Sequence, residues 1–95
     1  MLNSRQKSFL RSLAMTEKPI VQIGKDGISD SVINNINNVF RTHELIKVTV
    51  MKSVSDDIKE IAFDLARLTR SEMVQIIGRQ VILYKAAKEP QIILP

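Results

Sequence analysis

Apolar positions along this chain recur with two different periods, and the switches between them lay out the fold. Over residues 3–15, Phe9, Leu10 and Leu13 form a narrow stripe at helical spacing. Asn3 or Ser4 is placed to cap this first helix, and Arg5, Lys7 and Arg11 lie mostly off the stripe. Pro19 forbids simple continuation, and Ile20-Val21-Gln22-Ile23 follows as a short buried strand. From about Ser29 to His43, Val32, Ile33, Ile36, Val39 and Phe40 repeat every three or four residues, one face of a second helix. Asn34, Asn35, Asn37 and Asn38 fill the other face. Asparagine is a poor helix former, so tertiary packing has to hold this segment together.

The period then drops to two. In Leu45–Met51, Ile46, Val48 and Val50 alternate with Lys47 and Thr49, which predicts a strand buried on one face and at least partly wet on the other. Ser55 is positioned to cap a third helix with Asp56 and Asp57 in its first turn, where the helix dipole favours negative charge. Ile58, Ile61, Ala62, Leu65 and Leu68 form its apolar face, and Arg67 and Arg70 close it. Met73–Ile77 and Val81–Tyr84 read as two strands joined through Gly78-Arg79-Gln80 as a hairpin. The tail, residues 85–95, carries Ile92-Ile93-Leu94 and is left as either an edge strand or a loosely packed segment.

This order, α-β-α-β-α-β-β, predicts a single α/β domain over residues 1–95. It is a two-layer sandwich with a mixed four-stranded sheet. Right-handed crossovers place the second and third helices on one face, and the hairpin adds an antiparallel strand.

Between the first strand and the second helix lies Gly24-Lys25-Asp26-Gly27. Two glycines three apart permit positive φ and close approach of backbone N–H groups to a ligand. The next helix, capped by Ser29 or Asp30, offers unpaired N–H groups and the positive end of its dipole. With Lys25 at the tip, the segment reads as a backbone clamp for the phosphates of a nucleic acid. The competing interpretation is a tight turn whose glycines solve a steric problem.

Charge shifts that balance. The chain of 95 residues has a net charge of +4, which favours polyanionic partners. Arg5, Lys7, Arg11, Lys18 and Lys25 face only Glu17 in the first 25 residues, while the remaining 70 residues are neutral overall. All the excess positive charge therefore lies before or on the glycine loop. With 44% hydrophobic and 25% charged residues the composition is globular. No cysteine is present, which excludes disulfides and thiolate metal sites. No apolar run approaches the roughly 20 residues needed to cross a bilayer, and the polar start carries no signal-peptide block. The expectation is a cytoplasmic protein with no membrane partner.

Catalytic chemistry is nearly absent from the sequence. The single histidine, His43, stands at a helix end beside Glu44 and is explained as a dipole partner. Asp56 and Asp57 are better explained as capping charges than as an acid–base pair. No Walker loop, dinucleotide fingerprint or metal-ligand cluster occurs, so no catalytic residue, metal or cofactor is assigned. Phe9, Phe40, Phe63 and Tyr84 are the only aromatics, too few for a base-stacking sheet of the RRM kind. Tyr84 is the one candidate stacker, against the alternative of a half-buried strand tyrosine. Recognition of RNA would rest on phosphate contacts, backbone N–H groups and shape, with Arg79 at the hairpin tip and Lys85 after the last strand as further exposed cations.

Three separated stretches, in order, now carry a family resemblance. They are Lys18 to Ser29, reading Lys-Pro-Ile-Val-Gln-Ile-Gly-Lys-Asp-Gly-Ile-Ser; His43-Glu44-Leu45-Ile46-Lys47-Val48; and Val74-Gln75-Ile76-Ile77-Gly78-Arg79 with Leu83-Tyr84-Lys85. Over about residues 3–86 the chain resembles the CRM domain, and in particular its stand-alone bacterial, YhbY-like form. The resemblance implies a fold similar to the C-terminal domain of translation initiation factor three, with an extra N-terminal helix. It also implies an RNA-binding module whose glycine loop (Gly24, Lys25, Asp26, Gly27, with Ser29 at the family's cap position) resembles the KH-domain clamp. Bacterial members are associated with large-subunit precursors, and plant relatives with group II intron splicing and ribosome maturation.

Two departures stand out. Thr69-Arg70-Ser71 replaces the Thr-Gly common in relatives before the third strand, and Lys85 replaces an arginine, keeping charge but losing the bidentate fork.

The resulting expectation is a monomeric, non-enzymatic RNA-binding protein acting on large-subunit ribosomal RNA or its precursor, in a pre-ribosomal particle. Its candidate contacts are the glycine loop, Ser29, Lys18, Arg5, Lys7, Arg11, Arg79 and Lys85. The alternative is a basic adaptor that binds an acidic ribosome-assembly factor instead of RNA.

Overall fold

In the computed structural model, which describes residues 2–54 and 57–95, the elements run α1 (Ser4–Ala14), β1 (Val21–Ile23), α2 (Asp30–Phe40), β2 (Leu45–Val50), α3 (Ile58–Thr69), β3 (Glu72–Ile77) and β4 (Gln80–Tyr84). The sheet order is β1-β2-β4-β3. β1 is parallel to β2, while β2–β4 and β3–β4 are antiparallel. This is the mixed four-stranded α/β sheet that the periodicity predicts.

Local chemistry sets the helix ends. Asn3 caps α1 through a capping box: its Oδ1 accepts from the Gln6 N–H at 2.8 Å, and Gln6 Oε1 accepts from the Asn3 N–H at 3.1 Å. Ser29 caps α2, its Oγ accepting from the Val32 N–H at 3.2 Å. α2 stops at Phe40 rather than His43, although the His43 N–H still returns to the Val39 carbonyl. Asp57 itself is the cap of α3, through the Lys59 N–H at 2.9 Å, and not a residue of the first turn. Ser55 and Asp56, expected as the cap and its neighbour, lie outside the described residues.

The α2 and α3 face of the sheet matches expectation. Ile36 and Phe40 from α2, and Ile61, Ala62 and Leu65 from α3, pack on Val21, Ile23, Ile46, Val48, Val50, Val81 and Leu83. Leu68 is the exception: it is 44% exposed, and Thr69 is buried in its stead, its hydroxyl bonded to the Leu65 carbonyl and paired with Ser71 Oγ.

The other face holds more than expected. α1 crosses it and buries Leu10 and Ala14 against Leu45, Val74, Ile82 and Tyr84, with Leu2 beside them. Phe9 and Leu13, expected in the buried stripe, flank it at 36% exposure each. The tail forms no strand. It is strapped down by Glu44, whose carboxylate accepts from the Ala87, Gln91 and Ile92 N–H groups at 2.6–3.0 Å, and Ile92 and Leu94 pack on the same cluster. One end of this face thus gains a third layer on the expected two.

A bulge in β3 sets which side chains reach which face. Strict alternation from Met73 would put Gln75 in the core and Ile76 outside. The register shift between Met73 and Gln75 adds one residue, so Ile76 joins the α2–α3 core while Gln75 pairs with Ile82 on the α1 side.

Candidate nucleic-acid interface

The glycine loop stands at the end of the sheet where the parallel strands β1 and β2 both finish. Pairing continues one step past β2, the Met51 N–H donating to the Ile23 carbonyl at 2.9 Å. The Gly27 N–H then closes a four-residue turn on the Gly24 carbonyl at 2.9 Å. Lys25 and Asp26 occupy its exposed tip. Of the two loop glycines, Gly27 uses the positive φ that both permit, at φ 69°, and Gly24 does not. At Gly24 an added Cβ would stand 3.9 Å from Met51 Sδ, an ordinary contact, so packing within the chain does not demand glycine there. Close approach of an outside group to the backbone is a remaining physical use for it.

The electrostatics of this end are modest. Lys25 is balanced by Asp26, and Asp30 occupies the first turn of α2. The Ser29 hydroxyl already serves the Val32 N–H. A phosphate at this loop would draw on backbone N–H groups and on cations from elsewhere.

Those cations fall into two groups. Lys18, Arg5, Lys7 and Arg11 are exposed and belong to the opposite end of β1, on α1 and its connection. Lys7 and Arg11, four residues apart, share one side of α1, and Arg11 Nη1 reaches Gln75 Oε1 at 3.5 Å. Helical spacing puts Arg5 on the outer side.

Arg79 and Lys85, expected as free exposed cations, are committed inside the fold. Arg79 stands in the β3–β4 turn, where Gly78 has φ 59°. Its guanidinium donates to the carbonyls of Val50 and Met51 at 2.8 Å and of Val54 at 3.5 Å, pinning the segment that leaves β2. Lys85 Nζ donates to the Thr69 carbonyl at the end of α3 at 3.0 Å and lies 5.8 Å from the centre of the Phe40 ring. The Met51 carbonyl also accepts from the Val54 N–H at 3.0 Å, while the Thr69 carbonyl lies in the last turn of α3, where a cation is favoured.

Tyr84 is 5% exposed, its ring packed in the cluster under α1 rather than offered to a base. Burial, and then the charge of Glu44, push its phenol above the ordinary value. For Glu44 burial alone would raise the carboxyl, but the N–H groups of Ala87, Ile92 and Gln91 together outweigh it and hold the group below its ordinary value. His43 is exposed, with Nδ1 2.9 Å from Thr42 Oγ1. A groove lined by Leu13, Phe40, His43, Glu44 and Ile92 lies on this side, with Glu17 and Glu89 also in its lining; the Glu44 carboxylate is taken by the tail. Among the described residues no cluster of three or more His, Asp or Glu side chains could hold a metal, and no helix is long and apolar enough to cross a membrane.

Two features escaped the sequence pattern. Glu44 as the tail's strap left no signal in it. Lys47, expected on a wet face, is only 9% exposed. A lone lysine in the middle of an apolar strand was the signal available for it.

Comparison with known proteins agrees with this geometry. The CRS1/YhbY (CRM) domain model matches residues 2–85. The chain belongs to the CRS1/YhbY (CRM) domain family. Among similar CRM-family chains, a Bacillus subtilis protein named "Probable RNA-binding protein YqeI" is 44% identical over the full length of both chains. A Haemophilus influenzae protein named "RNA-binding protein" is 36% identical, covering 99% of this chain and 95% of its own. The solution structure of the hypothetical protein SAV1595 from Staphylococcus aureus superposes with a TM-score of 0.86 at 45% identity, each chain covered completely. The α1 helix is therefore part of the matched CRM unit, and so are the glycine loop and the Glu44–Lys47 segment.

Proposed function

We propose that this chain is a monomeric, non-enzymatic RNA-binding protein of the cytoplasm, acting in ribosome assembly on large-subunit ribosomal RNA or its precursor within a pre-ribosomal particle. The observation that carries this reading is full-length similarity to CRM-family chains named as RNA-binding proteins. The loop Gly24–Gly27 holds a phosphate segment through its backbone, with Lys25 beside it and the N-terminus of α2, capped by Ser29, behind it. Lys18, Arg5, Lys7 and Arg11 extend the positive track. Arg79 and Lys85 contribute by holding the scaffold rather than by reaching out.

The test compares wild type with Lys25→Asp for binding to large-subunit ribosomal RNA over a series of salt concentrations. Lys25 is exposed at a loop tip, so the melting temperature should hold while affinity drops by about tenfold or more. Wild-type affinity should fall steeply with salt as phosphate contacts release counterions. A flat salt response overturns the electrostatic reading. Co-purification with an assembly factor that survives complete RNA digestion would favour the adaptor instead.

A further inference from the structure

α1 and the tail close only one end of the sheet face on which they lie. The remaining half is open and largely polar. Its outer row runs Gln22, Thr49, Gln80 by register and ends at Ile77, which is 44% exposed, and the next row runs Lys47, Ile82, Gln75. Gln22 is exposed, and Thr49, Gln75 and Gln80 are half-buried. The rows are about 7 Å apart and adjacent strands about 4.8 Å apart, so Lys47 and Gln75, two strands distant, stand about 10 Å from each other. Arg11 lies over Gln75. Glu72 is the one acidic residue among the strand positions of this face, and it sits in the row of Tyr84, away from the open half.

Lys47 is the unusual member. Among the described residues it is one of three buried polar or charged ones, and the other two are fully accounted for: Glu44 by the tail and Thr69 by Leu65 and Ser71. Among the described residues Lys47 has no side-chain hydrogen bond, ion pair or ring contact. No sealed side-chain nitrogen or oxygen lacks a partner, so its ammonium is not sealed and reaches the surface while the stem stays packed. A cation held in place by its packed stem, with its ammonium at the surface and no protein acceptor among the described residues, is well matched to an external anion.

We infer that the open half of this face is a floor for a single RNA strand, with the Lys47 ammonium on a phosphate oxygen and Arg11 on the backbone beside it. The Gln22, Thr49 and Gln80 side chains, each able to donate and accept, face the bases. This rests on the reading of the chain as an RNA binder and adds a second contact region to the glycine loop. The floor also answers the near-neutral charge of that loop, because it leads from the loop end of β1 and β2 toward the cations of α1.

The experiment measures binding of a labelled 20-nucleotide single-stranded RNA of mixed sequence by wild type and by Lys47→Met, which keeps the packed stem and removes the charge. Affinity should fall about tenfold, and the slope of log affinity against log salt should decrease by about 0.7, one phosphate contact on a single strand. Alongside, the side-chain amide signals of Gln22, Gln75 and Gln80 in the wild-type protein should shift on adding the same RNA, a readout that survives even if the variant folds poorly. Wild-type binding with an unchanged Lys47→Met affinity and slope, or with unmoved glutamine signals, overturns the floor and leaves the RNA-binding reading standing. No binding by wild type at low salt overturns that reading, and the floor with it. Retention of an acidic protein partner by wild type but not Lys47→Met, without any RNA binding, would assign the face to protein.

Discussion

One face of the sheet is closed along its whole length, and the other only at one end. Toward α2 and α3, Val21, Ile23, Ile46, Val48, Val50, Val81 and Leu83 are all at 2% exposure or less. Toward α1 and the tail, Leu45, Ile82 and Tyr84 are buried, but Gln22, Thr49, Gln75 and Gln80 remain open. The same strands therefore supply a stabilising surface and a polar platform, separated only by the direction in which alternate side chains point. Burial is complete on one face and partial on the other, and the position of α1 marks the border. Cations divide the same way. Arg79 and Lys85 are bound to backbone carbonyls and brace the scaffold, whereas Lys25, Lys7 and Lys18 remain exposed.

The largest effect should come from opening the closed face. Leu65→Ala removes a fully buried side chain at the centre of α3 and should cost about 2–5 kcal/mol in urea denaturation. A loss under about 1 kcal/mol would mean that this face is not the main source of stability.

Next comes the half-closed face. Glu44→Gln exchanges a charged acceptor of three N–H groups for a neutral one and should cost about 1–3 kcal/mol. Hydrogen exchange should speed up at Ala87, Gln91 and Ile92 with little change at Val48 or Val81. Uniform acceleration across the sheet would erase the distinction between the faces. The wild type should show a matching acid dependence. Because the folded carboxyl lies below its ordinary value of 4.5, the strap's contribution is fully present above that pH and is lost as pH falls below it. Glu44→Gln should remove this dependence at the tail amides.

The smallest effect lies at the turn between α3 and β3, where Arg70 ends the helix. Arg70 keeps the left-handed conformation, at φ 55° and ψ 44°. Its N–H bonds the Arg67 carbonyl, while the Ser71 N–H bonds that of Ala66, as a Schellman turn requires. Arg70→Gly should relieve the strain and raise stability by roughly 1 kcal/mol, visible as a small rise in melting temperature. A fall would show that the arginine side chain contributes more than its backbone costs.

Much of this molecule follows from local periodicity. The seven elements, their order and the α2–α3 core could be read from the chain because each depends on side-chain spacing over a few residues. The family also emerged from contiguous motifs. Less legible were the fates of particular polar groups. Arg79 and Lys85 look like free cations in a linear sequence, since the carbonyls they satisfy lie 16–29 residues away. The strap from Glu44 to the tail spans 43–48 residues and has no periodic signature.

By itself, then, the sequence determined which segments are helix and which are strand, where the excess charge lies, and most of the core between the sheet and α2 and α3. Tertiary structure alone decided that α1 covers half of a face, that a bulge turns Gln75 outward and Ile76 inward, and that the Lys47 stem is packed with no side-chain partner for its ammonium among the described residues. The physical reason is range. Periodicity and capping are set by neighbours within about one turn or one strand, while burial and pairing of a polar group depend on whichever distant element folds against it.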